Sequence, residues 1–187
     1  MSIEINPKRL QGGPWAAGYA LHIHTLSSTF IGHDEYGHAR FETLRSPVGE
    51  LLYQTAVDLL AEAAGRFLKQ WAPPIDAIVP VPPSMSRKTQ PVLSVAAAIA
   101  ERLHIPLCTD CIVKVKQTPQ LKDTTEYDKR MEALKDAFTV SPESTTGRSL
   151  LLFDDLYGSG ATVRHIVDAL KDVGHSKAVY LLTLTTK

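Results

Sequence analysis

The sequence predicts an α/β protein: a doubly wound, mostly parallel sheet, with a β-hairpin and a long helix ahead of it. Three observations lead there. Short apolar runs at residues 75–81, 150–153 and 177–185 have the length of strands, and Leu150, Leu151, Leu152 and Phe153 have the texture of a strand buried on both faces. Between them, residues 90–103 and 163–170 carry helical periodicity, with Val163, Ile166, Val167 and Leu170 on one face. Ahead of them, residues 15–68 read as strand, turn, strand and helix. The expected division is a hairpin and helix over residues 1–74, packed on or capping a core over residues 75–187.

The 187 residues suit one domain with a small appendage, 44% of them apolar and 21% charged, an ordinary globular balance. Twenty Lys and Arg balance twenty Asp and Glu, so no overall field draws the chain to nucleic acid or to a membrane surface. No run reaches the length of a membrane span and the start has no secretory apolar core, which makes the cytoplasm the expected location. Cys108 and Cys111 offer half a structural zinc site. An extended segment would hold them roughly 10 Å apart, beyond the reach of a disulfide, so buried or half-buried free thiols are expected.

In chain order, residues 1–14 hold turn formers with little periodicity and read as a loosely held lead-in. Residues 15–30 read as one strand, with Tyr19, Leu21 and Ile23 alternating against His22 and His24 on a solvent face. Residues 32–37 form a hairpin turn, and residues 39–44 return. His22, His24, His33, Asp34, Glu35 and His38 are potential ligands, but no recognised metal spacing links them. Ser46 and Pro47 are a helix N-cap and first-turn proline. The apolar period from Leu51 to Leu68 then runs on for five turns and stops at Pro73-Pro74. After the strand at 75–81 comes Pro82-Pro83-Ser84-Met85-Ser86-Arg87-Lys88, a stiff loop with hydroxyls and two cations before an alanine-rich helix that His104 ends. Residues 105–115 read as a strand, and residues 116–129 are polar without a period, a stretch more often functional than idle. Residues 136–140 are a further strand, and Gly174 stops the last helix.

The densest chemistry follows the strand at 150–153: Asp154-Asp155-Leu156-Tyr157-Gly158-Ser159-Gly160-Ala161-Thr162. In open α/β sheets ligands bind beyond the carboxyl ends of the strands. Gly158 and Gly160 let the backbone approach an anion, a helix starting near Ala161 adds its positive end, and Ser159 and Thr162 supply hydroxyls. Asp154 and Asp155 would repel a phosphate but would accept hydrogen bonds from vicinal ribose hydroxyls. A Walker loop would need a lysine here, and a dinucleotide fingerprint a third glycine where Val163 stands.

This strand, acid pair and Gly-Ser-Gly-Ala-Thr loop resemble the 5-phosphoribosyl-1-pyrophosphate (PRPP) loop of type I phosphoribosyltransferases, and the resemblance extends over residues 75–185. It implies that Asp154 and Asp155 hold the ribose, and that Tyr157, Gly158, Ser159, Gly160, Ala161 and Thr162 hold the 5′-phosphate. By the same resemblance Pro83, Ser84, Arg87 and Lys88 meet pyrophosphate, and Lys116, Gln117, Lys122 and Arg130 belong to a loop that closes over PRPP. Val79-Pro80-Val81-Pro82, Gln117-Thr118-Pro119-Gln120, Arg130 and Ala137-Phe138 are similar to the competence-protein-F-like branch. Two features depart from that branch: the chain lacks its four-cysteine zinc ribbon, and the segment between Pro82 and Gln90 is shorter than usual there.

The implied activity is transfer of 5-phosphoribosyl to an unidentified nucleobase or amine with release of pyrophosphate. Magnesium would arrive with PRPP rather than on a protein metal site. Any hood over the acceptor must come from residues 1–70 or from the second copy in a homodimer; neither nucleic acid nor membrane is an expected partner. Two rivals come from other classes: a non-catalytic regulator that binds PRPP or a nucleotide, and an N-terminal interaction module on an inert sheet scaffold. An exposed apolar patch on the hairpin would favour the latter.

Overall fold

The computed structural model describes residues 3–83, 91–115, 134 and 137–187. Its central sheet takes, in spatial order, Lys8–Arg9 (β1), Ala17–Ile23 (β2), Ala178–Thr186 (β9), Ser149–Tyr157 (β8) and Ala77–Pro80 (β5). β2, β9, β8 and β5 are parallel; only β1, on the edge, runs the other way. Leu107 adds an isolated parallel bridge to Ile78 outside β5. Helices Pro47–Tyr53 (α1), Val57–Trp71 (α2) and Pro91–Leu103 (α3) pack on one face. The other face carries Ala161–Asp172 (α5) and a small sheet of Ile112–Lys114 (β6) with Phe138–Val140 (β7). The short helix Pro142–Thr145 (α4) leads into β8. The architecture is the expected mostly parallel, doubly wound sheet.

Side chains of a strand alternate between faces, and β8 shows why its apolar run does not. Leu150 and Leu152 enter the core beneath α5, with Val163, Ile166, Val167 and Leu170. Leu151 and Phe153 enter the other core, with Leu60, Ala64, Val95 and Ile99. All four are fully buried, each contributing about 1.5–3 kcal/mol by removal from water. The alanines of α3 are divided: Ala96 and Ala100 face the sheet, while Ala97 is exposed.

Several expectations are corrected. The lead-in is tied down: β1 pairs with β2, Leu10 is buried, and the Arg66 guanidinium donates to the Ile3 carbonyl. The single strand over residues 15–30 is two. β2 ends in the main sheet at Ile23, opposite Thr186. The His24 N–H donates to the Thr186 carbonyl at 2.7 Å, and the His24 carbonyl accepts from the Ser46 N–H at 3.1 Å. Past Ile23 the chain leaves the sheet as Thr25–His33 (β3), paired antiparallel with Ala39–Arg45 (β4). His22, placed on a solvent face by alternation, is buried because β2 is an interior strand.

The long helix breaks as well. Ser46 caps α1, its Oγ accepting from the Gly49 N–H at 3.0 Å, but Thr55 takes φ +56° and α2 starts afresh. The apolar period runs across this break, so periodicity alone could not reveal it. The strand expected over residues 105–115 is also interrupted. Leu107 bridges Ile78 of the main sheet, whereas Ile112 pairs with Val140 of the small one. The chain must bend between them, which brings the Cys108 and Cys111 Cα atoms to 5.5 Å and joins their sulfurs in a disulfide. The expectation of free thiols assumed an extended backbone that this junction does not have. The segment 177–185, expected to close the sheet, forms the interior strand β9.

No helix among the described residues is long and apolar enough to cross a membrane. The helix stop at Gly174 is a packing requirement: a Cβ there would lie 2.6 Å from the Leu170 carbonyl and 2.7 Å from Thr145 Oγ1. Thr145 is itself fully buried and donates to the Gly174 carbonyl at 2.7 Å. Gly174→Ala is therefore expected to lower stability by about 1–3 kcal/mol, read as a lower denaturant midpoint at unchanged slope.

Candidate functional site

The crossover from β5 through α3 leads outward to Leu107, whereas the crossover from β8 through α5 leads the other way to β9. The carboxyl ends of β5 and β8 therefore flank a topological switch point, where open α/β sheets bind ligands. β5 stops first: Pro80 lies opposite Phe153, and the Val81 N–H donates to the Phe153 carbonyl at 2.8 Å. β8 continues to Tyr157 with β9 alone, pairing Leu156 with Thr185 and Tyr157 with Thr186. Asp154 and Asp155 thus stand on a strand that overhangs its shorter neighbour.

By alternation, Asp154 continues the face of Leu152 and Asp155 that of Phe153. The Asp155 N–H donates to Asp154 Oδ1 at 2.9 Å, and the Asp155 carbonyl accepts from the buried Thr185 hydroxyl at 3.0 Å. The Asp154 residue keeps partial exposure, but its carboxyl is closely surrounded by protein. Burial, reinforced by the like charge of Asp155, pushes this carboxyl well above the usual carboxylate range against the opposing Asp155 amide. Both effects favour the protonated form of the Asp154 carboxyl.

Gly158 and Ser159 are exposed; Gly160 is buried, takes φ +76° and caps α5. A Cβ at Gly160 would lie 2.4 Å from the Tyr157 hydroxyl and 2.8 Å from its ring, so glycine is required twice over. The N–H groups of the first turn of α5 have no intrahelical acceptor and face this loop. The Ala161 N–H reaches Ser159 Oγ at 3.5 Å. Tyr157 is held edge-on by Trp15, with ring centroids 5.9 Å apart, and the Trp15 indole N–H donates to the Leu10 carbonyl at 2.9 Å. The lead-in thus props the aromatic wall of the loop.

The structure brings together Asp154, Asp155, Tyr157, Gly158, Ser159, Gly160, Ala161 and Thr162 at one sheet end, and Pro83 lies three residues past the end of β5. Ser84, Arg87, Lys88, Lys116, Gln117, Lys122 and Arg130 lie outside the described residues. Shallow concavities of about 310 and 240 Å³ occur on the hairpin and along residues 9–17, and Asp154–Thr162 lines neither. Among the described residues no three His, Cys, Asp or Glu side chains converge on a common point.

Sequence reasoning missed three neighbours of the site. Lys187 donates its N–H to the Tyr157 carbonyl at 3.2 Å, and its Cε lies 4.0 Å from where a Cβ of Gly158 would be, placing a cation beside the loop. Trp15 supports Tyr157. His22 sits opposite Thr185 at the same sheet end, buried and with no hydrogen-bond partner for Nδ1. All three arrive through pairing between distant segments, which leaves no local signal.

Neither a protein-family model nor a curated protein sequence matches the chain. Among solved structures it is similar to glutamine PRPP amidotransferase from B. subtilis, solved with ADP and GMP, at 20% identity and TM-score 0.47 over 68% of this chain. It spans only 26% of that enzyme's length, and 27% of UMP synthase from Leishmania donovani. It is also similar to adenine phosphoribosyltransferase from Saccharomyces cerevisiae, solved with an imino-altritol bisphosphate and adenine, at 14% identity and TM-score 0.47, covering 87% of this chain and 85% of that one.

Two outcomes follow from the geometry. Gly160→Ala is expected to cost about 1–3 kcal/mol through its backbone angle and its collision with Tyr157. In a Tyr157→Ala background the collision disappears, so a double-mutant cycle should show coupling; strictly additive losses would contradict the contact. The second concerns Asp154. The folded state holds the Asp154 proton more tightly than the unfolded chain, so this contribution to stability is full below the ordinary aspartate value and is lost as pH rises through the raised folded value. Denaturant unfolding across that window should show wild type losing stability relative to Asp154→Asn; a constant difference would rule the shift out.

Proposed function

We propose that the chain is a phosphoribosyltransferase that moves 5-phosphoribosyl from Mg-PRPP to a nucleobase or amine and releases pyrophosphate. One observation carries this reading. A paired-carboxyl strand end, a glycine-hydroxyl loop and a helix N-terminus are consecutive in the chain and lie at the switch point between β5 and β8. The amides and hydroxyls of Gly158–Thr162 suit a terminal phosphate, and Lys187 adds a positive charge there. A sugar ring seated from that phosphate toward β5 meets Asp154 and Asp155, whose oxygens take its two hydroxyls.

In the reaction the bond from ribose C1 to pyrophosphate breaks, pyrophosphate leaves with the electron pair, and the acceptor nitrogen bonds to C1 and sheds its proton. Positive charge grows on the ring as the bond opens, and the carboxyl pair lies where a negative field lowers its energy. The proton favoured on Asp154 is displaced most easily when positive charge arrives, from the ring or from a magnesium-bearing ligand. Carboxyl oxygens are also the donors a hard cation accepts, so the residues present fit magnesium carried in with PRPP. Bound there, the ion would neutralise charge on the departing pyrophosphate. Fixing the phosphate at Gly158–Thr162 fixes C1 as well, a proximity effect. The β3–β4 hairpin rises from the carboxyl end of β2, the same end of the sheet, and is our choice for the acceptor side.

Calorimetric titration with PRPP, with and without magnesium, tests the reading. Magnesium-dependent binding is expected in wild type and at least tenfold weaker binding in Asp155→Asn, which should melt near the wild-type temperature. Absence of PRPP binding in wild type would sink the proposal. Binding without pyrophosphate release from a mixed pool of bases would assign the site to a ligand-sensing regulator instead.

A further inference from the structure

The β3–β4 hairpin is exposed on both faces for nearly its whole length. Leu26, Phe30, Ile31, Phe41 and Leu44 are each 47–59% exposed, a concentration of apolar surface unlike scattered single residues. A two-stranded sheet without a covering layer is marginal on its own. This one nevertheless has an ordered tip: Asp34 Oδ1 accepts from the Tyr36 and His38 N–H groups at 2.9 and 2.8 Å. Its root is closed by Thr25 opposite Arg45 and by the Ser46–His24 hydrogen bond.

Its two outer edges differ. β3 carries register shifts between Thr25 and Ser27 and between Phe30 and Gly32, devices that interrupt an edge. β4 has none: residues 39–45 pair without a skipped position, include no proline, and bond through their backbone only to β3 among the described residues. Such an edge is a template for strand addition.

We propose that β4 pairs antiparallel with β4 of a second copy of this chain, with the two-fold axis through Phe41. Charge chooses both the partner and the register. An antiparallel pair related by a two-fold axis centres on a residue, and directly opposed side chains share a face. Centring on Arg40 opposes two arginines, and centring on Glu42 opposes two glutamates, each destabilising. Centring on Thr43 sets Glu42 against Leu44. Centring on Phe41 alone sets Arg40 against the partner's Glu42 and Glu42 against the partner's Arg40. On the opposite face it extends the Phe30–Phe41 edge-to-face pair, whose centroids are 5.7 Å apart, into a row of four rings. A concavity of about 310 Å³ lined by Ser27, Thr29, Glu42, Thr43 and Leu44 lies on the charged face and leaves room for the incoming guanidinium. Monomer and dimer stand in a reversible equilibrium that protein concentration shifts.

Sedimentation velocity from micromolar to submillimolar protein tests this through a charge swap. Wild type is expected to shift from monomer to dimer. Arg40→Glu and Glu42→Arg, each placing like charges opposite one another, should stay monomeric at the concentration where wild type is half dimeric. The double variant R40E/E42R restores opposite charges and should regain the dimer. Both positions of the swap are exposed, and circular dichroism should be unchanged. A monomeric wild type, or a dimer indifferent to both single variants, overturns the proposal. A monomer that floats with anionic phospholipid vesicles overturns it too and gives the apolar hairpin to a membrane surface. Asp154 and Asp155 take no part in this contact, so PRPP titration and sedimentation fail independently.

Discussion

Everything distinctive about this molecule depends on β8 being held on four sides for its first half and on fewer for its second. From Ser149 to Phe153 the strand has β9 on one edge, β5 on the other and a hydrophobic core on each face. Its register and direction are thereby over-determined, since a one-residue slip would exchange the contents of two cores. That rigid half aims the half beyond it. Past Phe153 β5 has ended, polar residues replace leucines, and the open edge of β8 carries the acid pair.

The acid pair shows how burial and chemistry are set against one another. Asp154 follows Leu152 toward the closed side of the sheet, and the environment that stabilises the leucine penalises an ionised carboxylate. Placing Asp155 next in the chain adds repulsion to desolvation. Tyr157, Gly160 and Trp15 then lock the loop that follows, so the first turn of α5 presents its amides from a fixed position.

The N-terminal segment divides into two parts with opposite environments. β1, β2 and the Leu10–Trp15 loop belong to the sheet and support Tyr157, whereas β3 and β4 stand clear of both cores. The boundary is one residue, His24, whose N–H donates to Thr186 of β9 while its carbonyl accepts from Ser46. An apolar pattern with period two is satisfied equally well by a sheet interior and by a free-standing hairpin. That is why residues 15–30 read as one strand.

What the sequence by itself determined is local. The unbroken apolar run of β8, the amphipathic face of α5, the Ser46 cap, and the spacing of Asp154, Asp155, Gly158 and Gly160 all follow from side-chain chemistry within a few residues. Those features were enough to reach the parallel sheet and to single out the candidate site. Tertiary structure alone decided which strands lie side by side, and with that the burial of His22, the break at Thr55, the bend that joins Cys108 to Cys111, and the arrival of Trp15 and Lys187 at the loop. Each of these rests on the arrangement of the folded chain, which no local period carries.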